Sequence, residues 1–205
     1  QCIEAVKTAV SRIADRPVFA GIIGPYSLAG RLIGMTDIMI ACYEEPEMVE
    51  TVLRKGTDFL ITYAGKLKEA GTNGMVVAEP AAGLLSPSLI EAFSNPYVKA
   101  LIDSVQDDSF LVIYHNCGNV TPLLQQIKSI GAKAYSFGNA IRLKDALEGI
   151  PSSSMVLGNL DPAGIIRSGS PETVRRETLA MLEECASFKN FVPSSGCDIP
   201  PASPL

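Results

Sequence analysis

The chain has 205 residues, 47% of them hydrophobic, with a formal net charge of −5 and a pI near 5.0. That length and apolar content can bury the core of one domain, or most of a larger one. The acidic balance argues against a nucleic-acid binder, which needs a basic surface to neutralise phosphates, and no apolar run reaches the length of a membrane span.

The opening Gln1-Cys2-Ile3-Glu4-Ala5-Val6-Lys7 reads as the tail of a helix, not as a signal peptide. With no initiating Met, the expectation is an internal piece of a longer protein. Residues 18–23 then predict a first strand. The turn after it, Gly21-Ile22-Ile23-Gly24-Pro25, lacks the third glycine of a phosphate-binding loop and places Pro where a donor is needed. Residues 46–70 predict the longest helix. Glu44, Glu45 and Glu47 surround its start, and Lys66 and Lys68 precede Gly71, an order that suits the helix dipole.

Further strands are predicted at 74–78, 110–114, 134–137, 155–158 and 191–193, with helices starting near Pro87, Pro122, Leu143 and Pro171. Gly131 should close a helix over about 121–130. Ser170 followed by Pro171 is a cap with Pro at the first helical position. Most strand runs do not alternate, as expected for strands buried on both faces. Pro193 lacks a backbone donor, so the last strand should end early or become irregular there.

Six βα-like units in a row imply a parallel α/β sheet. A doubly wound sheet and a (β/α)8 TIM barrel both satisfy that pattern. Glu79, His115, Cys117, Asn139, Asp161 and Cys197 all fall just after strand-like runs. Polar groups gathered at the carboxyl ends of different strands favour the barrel, where those ends ring one mouth. A barrel needs eight strands, so residues 1–205 read as a single partial TIM-barrel domain. About two βα units are expected on the N-terminal side.

Five cysteines at wide, odd spacing do not form a secreted disulfide framework, so a reduced, cytoplasmic chain is expected. Cys42 and Cys185 sit in helical patterns and read as small buried hydrophobes. His115 is the only histidine; Cys117 stands two residues away, and Cys197 follows much later before Ile199-Pro200. One imidazole and two thiols are soft ligands suited to zinc, and three protein ligands leave a position for chemistry. The plain alternative is a polar rim histidine and two unrelated buried thiols. Structural zinc would ask for a fourth Cys or His close by, and none is apparent.

Four motifs carry a family resemblance: Gly24-Pro25-Tyr26-Ser27-Leu28-Ala29, Leu85-Ser86-Pro87 with Asn95-Pro96-Tyr97, His115-Asn116-Cys117-Gly118-Asn119, and Gly158-Asn159-Leu160-Asp161-Pro162. In these, and in their order, the chain resembles the uroporphyrinogen decarboxylase superfamily. The resemblance implies a (β/α)8 barrel. His-x-Cys with a distant Cys before Ile-Pro is similar to the methylcobamide:coenzyme M methyltransferase branch. That branch implies Zn2+ held by His115, Cys117 and Cys197, a methylated corrinoid supplied by a partner carrier protein over the barrel mouth, and a small thiol as acceptor. The implied chemistry is attack of an electron-rich thiolate on the cobalt-bound methyl group.

Glu79 is then expected at the fourth metal position before substrate binds, with Asp161 as a second catalytic candidate. Asn139 and Tyr26 are expected to bind substrate or cofactor. Arg31, like Tyr26, follows the first strand and could face the pocket, and Tyr97 could bind. Each candidate has a structural alternative: Glu79 as a cap of the following loop, Asp161 as an N-cap, Tyr26 and Arg31 on a helix surface, Tyr97 in packing. The competing function is metal-free decarboxylation of a porphyrinogen. A homo-oligomer is compatible with the sequence, which does not write the oligomeric state or the methyl donor.

Overall fold

Six parallel strands hydrogen-bond in chain order and organise the molecule. In the computed structural model, which describes residues 1–203, helix α1 (Cys2–Arg12) leads into β1 (Phe19–Ile23). Three helices follow: α2 (Pro25–Ile33), α3 (Met35–Glu44) and α4 (Pro46–Glu69). Then come β2 (Gly74–Ala78), a 3-10 turn at Pro80–Leu84, α5 (Pro87–Phe93), α6 (Asn95–Val105) and β3 (Leu111–Asn116). The remainder is α7 (Leu124–Ile127), β4 (Ala134–Phe137), α8 (Leu143–Gly149), β5 (Met155–Leu160), a π-helical turn at Pro162–Arg167, α9 (Pro171–Cys185) and β6 (Phe191–Ser195).

A doubly wound sheet reverses its strand order at a switch point. This sheet never reverses, so its helical crossovers share one face, as in a (β/α)8 barrel. The structure is therefore six consecutive strands of the barrel type expected from the sequence.

The core lies between the helices and one sheet face. Ile22, Val77, Tyr114, Tyr135 and Val156 occupy matched register positions and are all buried. On α4, Val49, Leu53, Thr57, Leu60, Ala64 and Leu67 recur at three- and four-residue spacing and form its buried stripe. Burying each such leucine is worth about 2 kcal/mol. Pro46 at the helix start and Lys66 and Lys68 in its last turn behave as the sequence predicts.

Three expectations need correction. The other sheet face, carrying Ile23, Ala78, His115, Ser136, Leu157 and Val192, is only half-buried. Six strands do not close around it, so β3 alternates between buried and half-buried positions. The helix predicted over 121–130 is broken into 3-10, α and 3-10 segments. The Gln126 carbonyl accepts from Asn95 Nδ2 and Ser129 Oγ, side-chain donors that compete with the regular helical ladder. Gly131 does close the segment, at φ 77°. Finally, β6 runs straight through Pro193, paired with Gly158. It is an edge strand, where a missing donor is tolerated.

Candidate metal centre

His115 stands near the end of β3 on the half-buried face, in register with Ala78 and Ser136. Strand parity points the next side chain, Asn116, into the core. There its Nδ2 donates to the Glu79 carbonyl at 2.8 Å and to Tyr114 Oη at 3.3 Å. Its Oδ1 accepts from the Gly118 amide at 2.9 Å. These bonds tighten the turn around Cys117 and bring that thiol onto the same side as His115. Gly138, just past β4, packs on this turn: a Cβ there would lie 2.7 Å from the Cys117 backbone. Only glycine allows that approach. Beyond β6, the Gly196 amide donates to the Leu160 carbonyl at 2.8 Å and turns Cys197 inward.

His115, Cys117 and Cys197 meet, with their ligand atoms within 4.8 Å of one another. Cys197 Sγ is 3.7 Å from His115 Nε2. Tetrahedral zinc, with bonds of about 2.0 Å to nitrogen and about 2.3 Å to sulfur, sets such donors about 3.5 Å apart. The donor set and its spacing therefore fit zinc. His115 Nδ1 is 3.0 Å from Ser136 Oγ. With the ring proton assigned to Nδ1, this bond fixes the tautomer that turns the Nε2 lone pair toward Cys197. Burial holds the His115 pKa below its ordinary value, against the opposing pull of Asp198, and so favours the neutral ring that a metal needs. Burial, then the neighbouring Cys197, pushes the Cys117 thiol up.

The three donors open into a cavity of about 860 Å³ bounded by β1, the carboxyl ends of β2 and β3, Ser136 and the segment after β6. Ser27, Arg31 and Asp198 also line it.

The other predicted site residues lie elsewhere. Glu79 is completely buried and is not among the convergent donors. Its carboxylate accepts from the Tyr26 amide at 3.0 Å and the Ser27 amide at 2.6 Å. It closes the start of α2, where the first amides lack helical partners. The expected fourth-ligand position does not match this placement. Burial raises the Glu79 pKa to about 7, with the bonds from Ser27 and Tyr26 pulling it back. A Cβ on Gly24 would lie 2.4 Å from Glu79 Oε2, so the glycine makes room for this carboxylate.

Tyr26 is also a core residue, fully buried with its hydroxyl 3.9 Å from Cys42 Sγ, rather than facing the cavity. Asp161 caps the π-helical turn, accepting from the Ala163 and Gly164 amides at 2.9 Å. Asp161 and the exposed Asn139 border a different, shallower cleft between β5 and α9. Cys42 and Cys185 are buried thiols, as expected.

Sequence reasoning missed Ser136 and Asn116. Ser136 is bracketed by aromatics in a short strand, and only the β3–β4 register reveals that it faces His115. Asn116 lies between the two predicted ligands, a position that could have marked it as their anchor.

A sequence model of the uroporphyrinogen decarboxylase (URO-D) family matches residues 1–205. The chain belongs to this family. Among its relatives, the methylcobamide:CoM methyltransferase MtbA of Methanosarcina acetivorans is 27% identical over 206 residues, covering 98% of this chain and 59% of the relative. A uroporphyrinogen decarboxylase of Desulfotalea psychrophila is 27% identical over 150 residues, covering 73% of this chain and 42% of that protein. The solved structure of a methyltransferase from Methanosarcina mazei superposes with a TM-score of 0.88 at 26% identity, over 99% of this chain and 59% of that one. A B12-independent methionine synthase from Shewanella sp. W3-18-1, with a TM-score of 0.70 at 15% identity over 100% of this chain and 61% of that one, shares the fold. The chain thus spans between 50% and 59% of the length of the methyltransferases it matches.

Proposed function

We propose that this family member is a zinc-dependent corrinoid methyltransferase. It transfers a methyl group from a methylated corrinoid, carried on a partner protein, to a small thiol such as coenzyme M. The observation that carries this reading is the convergence of His115, Cys117 and Cys197 on one cavity. The likeness to methylcobamide:CoM methyltransferases supports it.

His115 contributes a neutral imidazole, held by Ser136. Cys117 and Cys197 contribute two sulfurs from strand ends far apart in the chain. Zinc, when bound, lowers a thiol pKa and so supplies a nucleophilic thiolate at neutral pH. The half-buried sheet face keeps bulk water from one side of the reacting sulfur, while the open side admits the methyl donor. Glu79 acts as a positioning residue: it fixes α2 over the cavity and, through its own backbone amide, holds the His115 carbonyl at 2.8 Å. Asp161 and Asn139 shape the β5–α9 cleft, and Tyr26 packs the core. Residues 1–205 form one part of a barrel domain in this reading, acting in the cytoplasm. No helix among the described residues is long and apolar enough to cross a membrane.

Metal analysis and activity decide the matter together. About one zinc per chain, with methyl transfer from a methylated corrinoid protein to coenzyme M, is expected. A metal-free protein that decarboxylates a porphyrinogen would establish the competing family chemistry, which has no use for three convergent donors.

A further inference from the structure

Besides the Asp161 cap, the Gly158-Asn159-Leu160-Asp161-Pro162 motif carries a polar side chain that no role above accounts for. Asn159 stands at the carboxyl end of β5, half-buried and in register with Ser194 of β6. Its Nδ2 donates to two backbone carbonyls, that of Gly138 at 2.9 Å and that of Ile141 at 2.7 Å. Two carbonyl neighbours fix the orientation of the amide, because only its nitrogen can serve them. Asn159 thus holds both ends of the short segment 138–141 that follows β4.

That segment lies between the turns that carry the two sulfur ligands. On one side, the Gly138 amide donates at 3.2 Å to the Asn116 carbonyl, in the peptide that leads into Cys117. A Cβ on Gly138 would come within 2.7 Å of Cys117 Cα. On the other side stands Gly196, which precedes Cys197. A Cβ there would lie 2.9 Å from the Asn139 amide nitrogen, 3.2 Å from the Asn159 carbonyl oxygen and 3.3 Å from the Gly138 carbonyl carbon. Backbone meets backbone on both sides, with no side chain to yield. A displacement of Gly138 therefore displaces one ligand turn or the other.

We propose that Asn159 is a positioning residue of the metal centre: it sets the separation of Cys117 from Cys197 by holding segment 138–141 between the turns that carry them. Metal–ligand distances are confined to within about 0.2 Å, so even a small shift of this segment is felt at the donors. The inference rests on reading the three donors as a metal centre and adds the residue that spaces them.

Asn159→Asp and Asn159→Ala separate a donor from a filler of space. Aspartate keeps the shape but turns an oxygen toward two carbonyls, whereas alanine removes the group. A side chain that only fills space makes the aspartate variant the milder of the two; a donor makes it the more damaging. Both variants, purified free of metal and checked for fold by circular dichroism, are loaded with Zn2+ or Co2+. Cobalt(II) accepts the same nitrogen and sulfur donors, and its visible d–d absorption reports their geometry. Zinc affinity, measured by competition with a chromogenic chelator, should fall about tenfold in Asn159→Ala and further in Asn159→Asp. The cobalt band should shift or lose intensity in both, which a loss of stability alone does not produce in folded protein. In a double-mutant cycle with Gly138→Ala the losses of zinc affinity should be strongly non-additive, because both changes act through one segment. Should Asn159→Asp not fold, the alanine variant and the cycle carry the decision. Folded variants with wild-type affinity and cobalt band, an aspartate variant milder than the alanine one, or additive losses overturn the inference. A wild-type protein that takes up neither ion defeats the metal-centre reading itself, and this inference with it.

Discussion

At the scale of single residues, the same chemical type takes opposite roles according to its surroundings. Cys42 and Cys185 fill space in the core, whereas Cys117 and Cys197 gather beside an imidazole at the edge of a cavity. Changing Cys197 to Ala should therefore cut zinc content by at least about tenfold and abolish methyl transfer, while Cys185→Ala leaves zinc content intact; elemental analysis of both variants checks this. Cys185→Ala exchanges a buried thiol for a methyl group and should cost only about 1 kcal/mol. Glu79 illustrates a buried carboxyl group whose partners are backbone amides. Glu79→Ala strands two buried donors and opens a cavity, so urea unfolding should show a loss of roughly 2 to 4 kcal/mol. Glu79→Gln retains an acceptor oxygen and should lose about half as much. If Glu79 were a metal ligand instead, both variants would fall in zinc content.

Elements explain how such residues come to their places. Ser170 was legible as a cap, and its hydroxyl accepts from the Thr173 amide in the folded chain. Ser170→Ala should cost about 1 kcal/mol in denaturant unfolding without altering zinc content, because α9 packs away from the donors. The strand-to-loop junctions are more demanding. Gly138→Ala forces a methyl against the Cys117 backbone at 2.7 Å. Backbone has no rotamer to yield, so the turn carrying Cys117 must shift. Reduced zinc affinity, measured by competition with a chromogenic chelator, is the expected result. An unchanged affinity would mean that the turn adapts and that the close packing there is incidental. The long helix α4 was readable from its charge order and periodic apolar stripe, both local properties. The 121–130 segment misread because Asn95, distant in the chain, donates to its backbone.

For the molecule as a whole, the donors link β3 to β6, strands separated by two others in the sheet. A bound metal would therefore clamp the arc. Removing it with a chelator should lower the melting temperature by roughly 10 °C, given a ligand that favours only the folded state. In Cys197→Ala the chelator should have almost no effect, a comparison made by calorimetry. The sequence by itself determined the βα repeat, the parallel sheet, the helix caps and the short list of soft ligands. Those features depend on residue type and on spacing within one element. Only the tertiary structure decided that Ser136 backs His115, that Glu79 serves α2 and that Arg31 lies at the cavity edge. Strand register and the turning of loops at strand ends place those side chains, and they arise from contacts between residues tens of positions apart, which no local pattern encodes.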